Sequence, residues 1–168
     1  MKISVKILFL LFLPCIVFSC YRVEQYSEIP EIEFISFHFS DSIDILGNPI
    51  KVGVLSFLFT DGDADIGLYP DESLLDENNR EYKHNCFLSR YKKENGVYLK
   101  VSEIDSSYLN FRIPYIEPIG ENSVLNGTIS IRIEDLNLNY DTIKYEFYIM
   151  DRNFHFSNIE NTTDIAVN

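Results

Sequence analysis

Residues 61–65 read Asp-Gly-Asp-Ala-Asp and form the most chemically loaded stretch of the chain. Three carboxylates stand on alternate positions, with Gly62 between two of them and Gly67 just beyond. Oxygen-only ligands of this kind suit a hard divalent cation, which gathers roughly six to eight oxygens at short range. Alternation in a tight turn brings the acids to one point, and the glycines allow the bend. The chemistry expected of residues 61–65 is therefore calcium binding through Asp61, Asp63 and Asp65. The competing reading is a solvated acidic turn in an acidic protein.

The spacing extends further. With Asp61 as position one, Asp63 and Asp65 take positions three and five, and Glu72 falls at position twelve, where an EF-hand places its bidentate glutamate. The match is partial. Ile66 occupies position six, where that loop needs glycine, and the preceding segment reads as a strand. The stretch resembles a D-x-D-x-D calcium loop set on a β scaffold. A second polar group, Asp151-Arg152-Asn153, follows the last strand-like run. If the strands are antiparallel and bring the two strand ends to one pole, Asp151 or Asn153 would complete the shell; otherwise the group is a strand-terminating turn.

The elements that must position these residues are β-strands. Residues 32–39 (IEFISFHF) are aromatic and β-branched with partial alternation, and residues 50–60 form a second run. Residues 52–59 are nearly all apolar, which predicts a central strand covered on both faces. Residues 61–83 make a long connection rich in Asp, Glu and Asn, and such a loop is usually functional. Asn95-Gly96 between residues 85–93 and 97–101 is a strong hairpin signal. Residues 108–115 predict another strand, and Asn126-Gly127 a turn. Residues 127–134 alternate, with Ile129, Ile131 and Ile133 on one side; residues 142–150 alternate again. About seven strands and no helical period predict an all-β chain: an antiparallel, immunoglobulin- or fibronectin-like β-sandwich, with a closed barrel as the alternative.

Bulk properties bound the setting. The chain has 168 residues. Lys2 and Lys6 precede a short apolar run, and Val17-Phe18-Ser19-Cys20 closes it. That run is shorter than the roughly 20 residues a membrane-spanning helix needs. It has the marks of an export signal, residues 1–19. A cysteine directly after the small residue resembles the bacterial lipoprotein lipobox, against an ordinary secretory signal with a chance cysteine. The resemblance implies cleavage before Cys20 and its lipidation, followed by a polar tether over residues 20–30 and one domain over residues 31–168. Several acyl chains give the stable membrane anchoring that one chain does not. Without Lys2 and Lys6, 12 basic residues face 26 acidic ones, a net charge of −14. That argues against nucleic acid, which would be repelled. Cys86 is then the remaining free cysteine, in an apolar setting that predicts a buried side chain.

The lipobox, residues 26–34 (YSEIPEIEF), 59–68 (FTDGDADIGL) and 145–158 (YEFYIMDRNFHFSN) together resemble a group of small Bacteroidota outer-membrane lipoproteins. The second block of that group often reads F-x-D-G-D-G-D-I-G-L, so Ala64 stands where glycine is usual; Phe154 and His155 also depart from its wording. The resemblance implies an outer-membrane location on either face and an immunoglobulin-like fold, and it carries no catalytic residues. His38, His84 and His155 read as singletons, so zinc is not expected. Asp41-Ser42-Ile43 and Asp141-Thr142-Ile143 resemble the D-S/T-aliphatic O-glycosylation sites of the same bacteria. The function expected is a non-catalytic binding or assembly module that meets a protein or glycan partner. The alternatives are a glycan-active enzyme using loop carboxylates and a purely structural envelope protein.

Overall fold

The computed structural model describes residues 26–101, 109–118, 124–134 and 140–167. The expected signal at 1–19 and the lipidation site Cys20 lie outside them. The described elements are β1 (Glu31–Ile43), β2 (Pro49–Asp61), β3 (Leu74–Leu75), β4 (Glu81–Tyr82), β5 (Cys86–Glu94), β6 (Val97–Lys100), β7 (Asn110–Phe111), β8 (Leu125–Ile133), β9 (Thr142–Ile149), β10 (Glu160–Asn161) and β11 (Ile165–Ala166). The chain is all-β, with no helix among the described residues.

Two antiparallel sheets carry the fold. One has the order β1-β2-β8, the other β10-β9-β5-β6, with β11 on β9 and β7 on β5. The ladders of the two sheets stay separate among the described residues, which is the pattern of a sandwich and not of a closed barrel. Their inner faces form one apolar core. Phe57 of β2 meets Phe147 of β9 at 5.2 Å between ring centroids, and Phe37 of β1 stacks on Tyr145 of β9 at 5.6 Å. On β9 the expected alternation holds throughout: Ile143, Tyr145, Phe147 and Ile149 are fully buried while Lys144, Glu146 and Tyr148 face outward.

The strand β1 explains why its sequence alternates only in part. The register slips between Phe34 and Ser36, so Ile35 bulges out and is exposed. One extra residue returns Phe37 and Phe39 to the side that Ile32 and Phe34 occupy.

Three expectations are corrected. Strand β2 is central in its sheet, but it is covered on one face only: Leu55, Phe57 and Phe59 are buried whereas Leu58 is exposed. Antiparallel sheets tolerate a solvated face, so an apolar run here does not require two covers. Asn126-Gly127 is no turn; it lies inside β8, where Gly127 pairs with Phe59 and the Phe59 ring packs over it. The strand expected at 108–115 shrinks to β7, and the long connection after β2 contains the small β3–β4 hairpin.

Candidate metal centre

Strand β2 delivers Asp61 as its last residue, paired with Leu125 of β8 and wholly out of solvent. Its Oδ2 accepts the Ile66 amide at 2.9 Å, which closes the turn over residues 61–66. Ala64 sits within that turn at φ 58° and is buried. The exit is clamped from the other side. Gly67 has φ 97°, and a Cβ there would lie 2.4 Å from the Pro114 carbonyl oxygen. Leu68 donates its amide to Ile113 O at 3.0 Å, and Tyr115 donates to Leu68 O at 2.9 Å. The wall formed by residues 113–115 is itself held by buried Asn85, whose Oδ1 accepts the Ile113 amide at 2.7 Å. Residues distant in sequence therefore fix the loop that carries the three acids.

In this loop Asp61, Asp63 and Asp65 each offer a carboxylate oxygen, and these atoms lie within 4.8 Å of one another. Each residue also keeps its Oδ1 out of solvent and without a hydrogen-bond partner. Buried polar atoms are ordinarily satisfied, so three orphaned carboxylate oxygens at one place call for a ligand. The electrostatics agree. Burial, then a side-chain hydrogen bond shared with Asp63 and the charges of Asp63 and Asp65, pushes Asp61 up to about 7. Burial, then the charges of Asp151 and Asp63, pushes Asp65 up to about 6. A divalent cation would neutralise this crowding, and all-oxygen donors from carboxylates suit calcium.

The turn after β9 reaches the same place. Asp151 is buried, and its own carboxylate is already engaged: Oδ1 accepts the His155 amide at 2.8 Å and Oδ2 meets His155 Nδ1 at 2.9 Å. Burial raises the Asp151 pKa and His155 opposes the rise. The Arg152 backbone opposes the rise of the Asp65 pKa. Asn153 Nδ2 lies 3.5 Å from Asp63 Oδ2. Asp151 and Asn153 thus stand at the rim of the acidic cluster, brought there by the second sheet. His155 is not the singleton its sequence context suggests; its partner, Asp151, is four residues upstream.

Glu72 is held elsewhere. Its two oxygens pair with both terminal nitrogens of Arg152 at 2.7 Å each, and Oε2 also accepts the Tyr69 amide at 2.7 Å. The EF-hand count therefore marks a different device. Arg152 lies over the rings of Tyr69 and Tyr115, which stack at 4.1 Å. Arg112 ties the carbonyls of Glu72, Lys83 and Tyr69. This latch straps residues 69–72 to the turn after β9 through Arg152. Sequence offered no signal for it beyond the arginine beside Asp151. Cys86 is fully buried, and burial pushes its thiol far up, as expected of an inert core cysteine.

The chain matches no protein-family model, no curated protein and no solved structure.

Proposed function

We propose that the chain is a lipid-anchored outer-membrane protein whose immunoglobulin-like domain is a non-catalytic binding or assembly module, with calcium ordering the loops at one pole. The observation that carries the calcium reading is the convergence of Asp61, Asp63 and Asp65 with three buried, unpartnered oxygens. The anchor rests on the Ser19-Cys20 junction and the resemblance it carries.

Calcium at this point is a structural tie. Asp61 ends a strand of one sheet, and Asp151 and Asn153 follow a strand of the other. An ion held among them would couple the two sheets at the pole where the strap of residues 69–72 also docks. Catalytic carboxylates must flank a reacting bond. Asp61 is wholly enclosed and suits a ligand better than an acid or base. The ordered loops would then present a fixed surface to a protein or glycan partner.

The test is calorimetric titration of calcium into the mature chain. Saturable binding, lost in the double variant Asp63→Ala with Asp65→Ala, is the expected result. No heat from the wild-type chain would leave residues 61–65 a buried acidic turn that holds no cation.

A further inference from the structure

The first described residues of the chain pack directly on the acidic loop. The Gly62 amide, between Asp61 and Asp63, donates to the Ser27 carbonyl at 2.9 Å. A Cβ at Gly62 would stand 2.3 Å from that carbonyl oxygen and 2.8 Å from the Tyr26 carbonyl carbon. The two backbones are in contact, and the close approach requires glycine. Residues 26–29 are otherwise exposed, whereas Pro30 is buried. Two residues on, Ile32 is held by its own pair of bonds to Asn158, at 2.8 and 2.9 Å. The body therefore grips the chain firmly from Pro30 onward, and the Gly62 contact adds a second grip farther toward the N-terminus.

We infer that cation binding at Asp61, Asp63 and Asp65 controls whether residues 26–29 are docked on the domain, an inference that rests on the calcium reading above. Gly62 lies between two of the ligands, so its amide points at Ser27 only while the loop is closed. With the ion bound, the three carboxylates are held together and the dock is formed. With the ion removed, like charges drive the loop open, and the Gly62 amide leaves Ser27. Releasing residues 27–29, up to the buried Pro30, frees roughly 10 Å of chain at full extension. For a domain fixed through Cys20, the ion would set how far the body stands from the membrane.

Cleavage after Glu28 by a glutamate-specific protease reads the dock, followed by mass as the product that begins at Ile29. The substrate is the full mature chain, in excess calcium and in chelator. Cleavage after Glu94, at the opposite end of β5, is the control. Calcium is expected to slow cleavage after Glu28 at least tenfold and to leave cleavage after Glu94 unchanged. Gly62→Ala, whose added methyl cannot fit beside Ser27, is expected to bring cleavage after Glu28 in calcium up to the chelator rate. Calorimetric binding with equal Glu28 cleavage in both conditions would overturn the inference and leave the calcium reading standing. A wild-type chain that takes up no calcium would overturn both. The wild-type comparison decides the matter even where Gly62→Ala does not fold.

Discussion

Two aspartate-led turns in this molecule begin alike and end differently. In the turn over residues 76–80, Asp76 Oδ1 accepts the amides of Asn78 and Arg80 at 2.8 and 2.9 Å, and Oδ2 takes Arg80 Nε at 2.7 Å. Every lone pair that matters has a local donor, and those bonds hold the Asp76 pKa below the usual carboxylate value. In the turn over residues 61–66, Asp61 Oδ2 accepts one amide, but Oδ1 faces Asp63 and Asp65 in a buried space. Its pKa rises to about 7. The first turn brings its own cation, the Arg80 guanidinium. The second gathers like charges and brings none. An acidic turn that completes itself is a structural device; the buried turn that gathers like charges is the one for which an external cation is proposed.

The largest effect that separates the two turns is the pH dependence of the chelated protein. Asp61 has a folded pKa above its unfolded value of 3.8, so between about pH 4 and 7 the folded chain binds the extra proton. Stability is then present at low pH within that window and is lost as pH rises through it. The Asp61 shift alone sets a ceiling on the order of 4 kcal/mol. Asp76 has the opposite sign, with stability present above its unfolded value and lost on acidification. Thermal unfolding in chelator is expected to show a higher Tm at pH 5 than at pH 8. A Tm that is flat or rises across that range would mean that Asp61 ionises as an ordinary carboxylate and needs no counter-ion.

Next in size is the response to the ion. At one hundred times its Kd, a ligand specific for the folded state adds about 2.7 kcal/mol, which is on the order of 5–10 °C in Tm for a domain of this size. The double variant Asp63→Ala with Asp65→Ala is expected to lose this response, and Asp76→Ala to keep it in full. Equal responses in both would place the ion somewhere other than residues 61–65. Asp76→Ala itself is expected to lower stability modestly through its lost local bonds, with or without calcium. That cost is read from urea midpoints, and a dependence on calcium would break the separation drawn between the turns.

The difference between the turns was only half legible in the sequence. The alternate aspartates, the strand before them and the alternation of residues 142–150 follow from local patterns, and those patterns held because each strand buries one face. What was hidden depends on the third dimension. The loop that carries the acids is tied to residues 113–115 and to the turn after β9, both far away in the chain. The position of Glu72 fits an EF-hand count, yet Arg152 claims its carboxylate from 80 residues away. Asn126-Gly127 shows the same limit: a dipeptide that commonly turns is held straight by nine paired positions along β2 and β8.

The smallest expected effect concerns Ala64. It holds φ 58°, a left-handed conformation that costs an L-residue about 1 kcal/mol or more relative to glycine. Glycine is the residue this backbone conformation favours. Two terms oppose the exchange. Glycine loses more freedom on folding, about 0.4–1 kcal/mol, and the Ala64 methyl is buried, with each buried carbon worth about 0.8 kcal/mol. Ala64→Gly is therefore expected to change stability by under about 0.5 kcal/mol, because these terms nearly cancel. Its calcium affinity should stay within twofold, since the turn already has the shape that glycine would adopt. A clear loss of affinity would show that the buried methyl helps to hold the three acids at their spacing. The incomplete turn would then depend on Ala64 as well as on the charges.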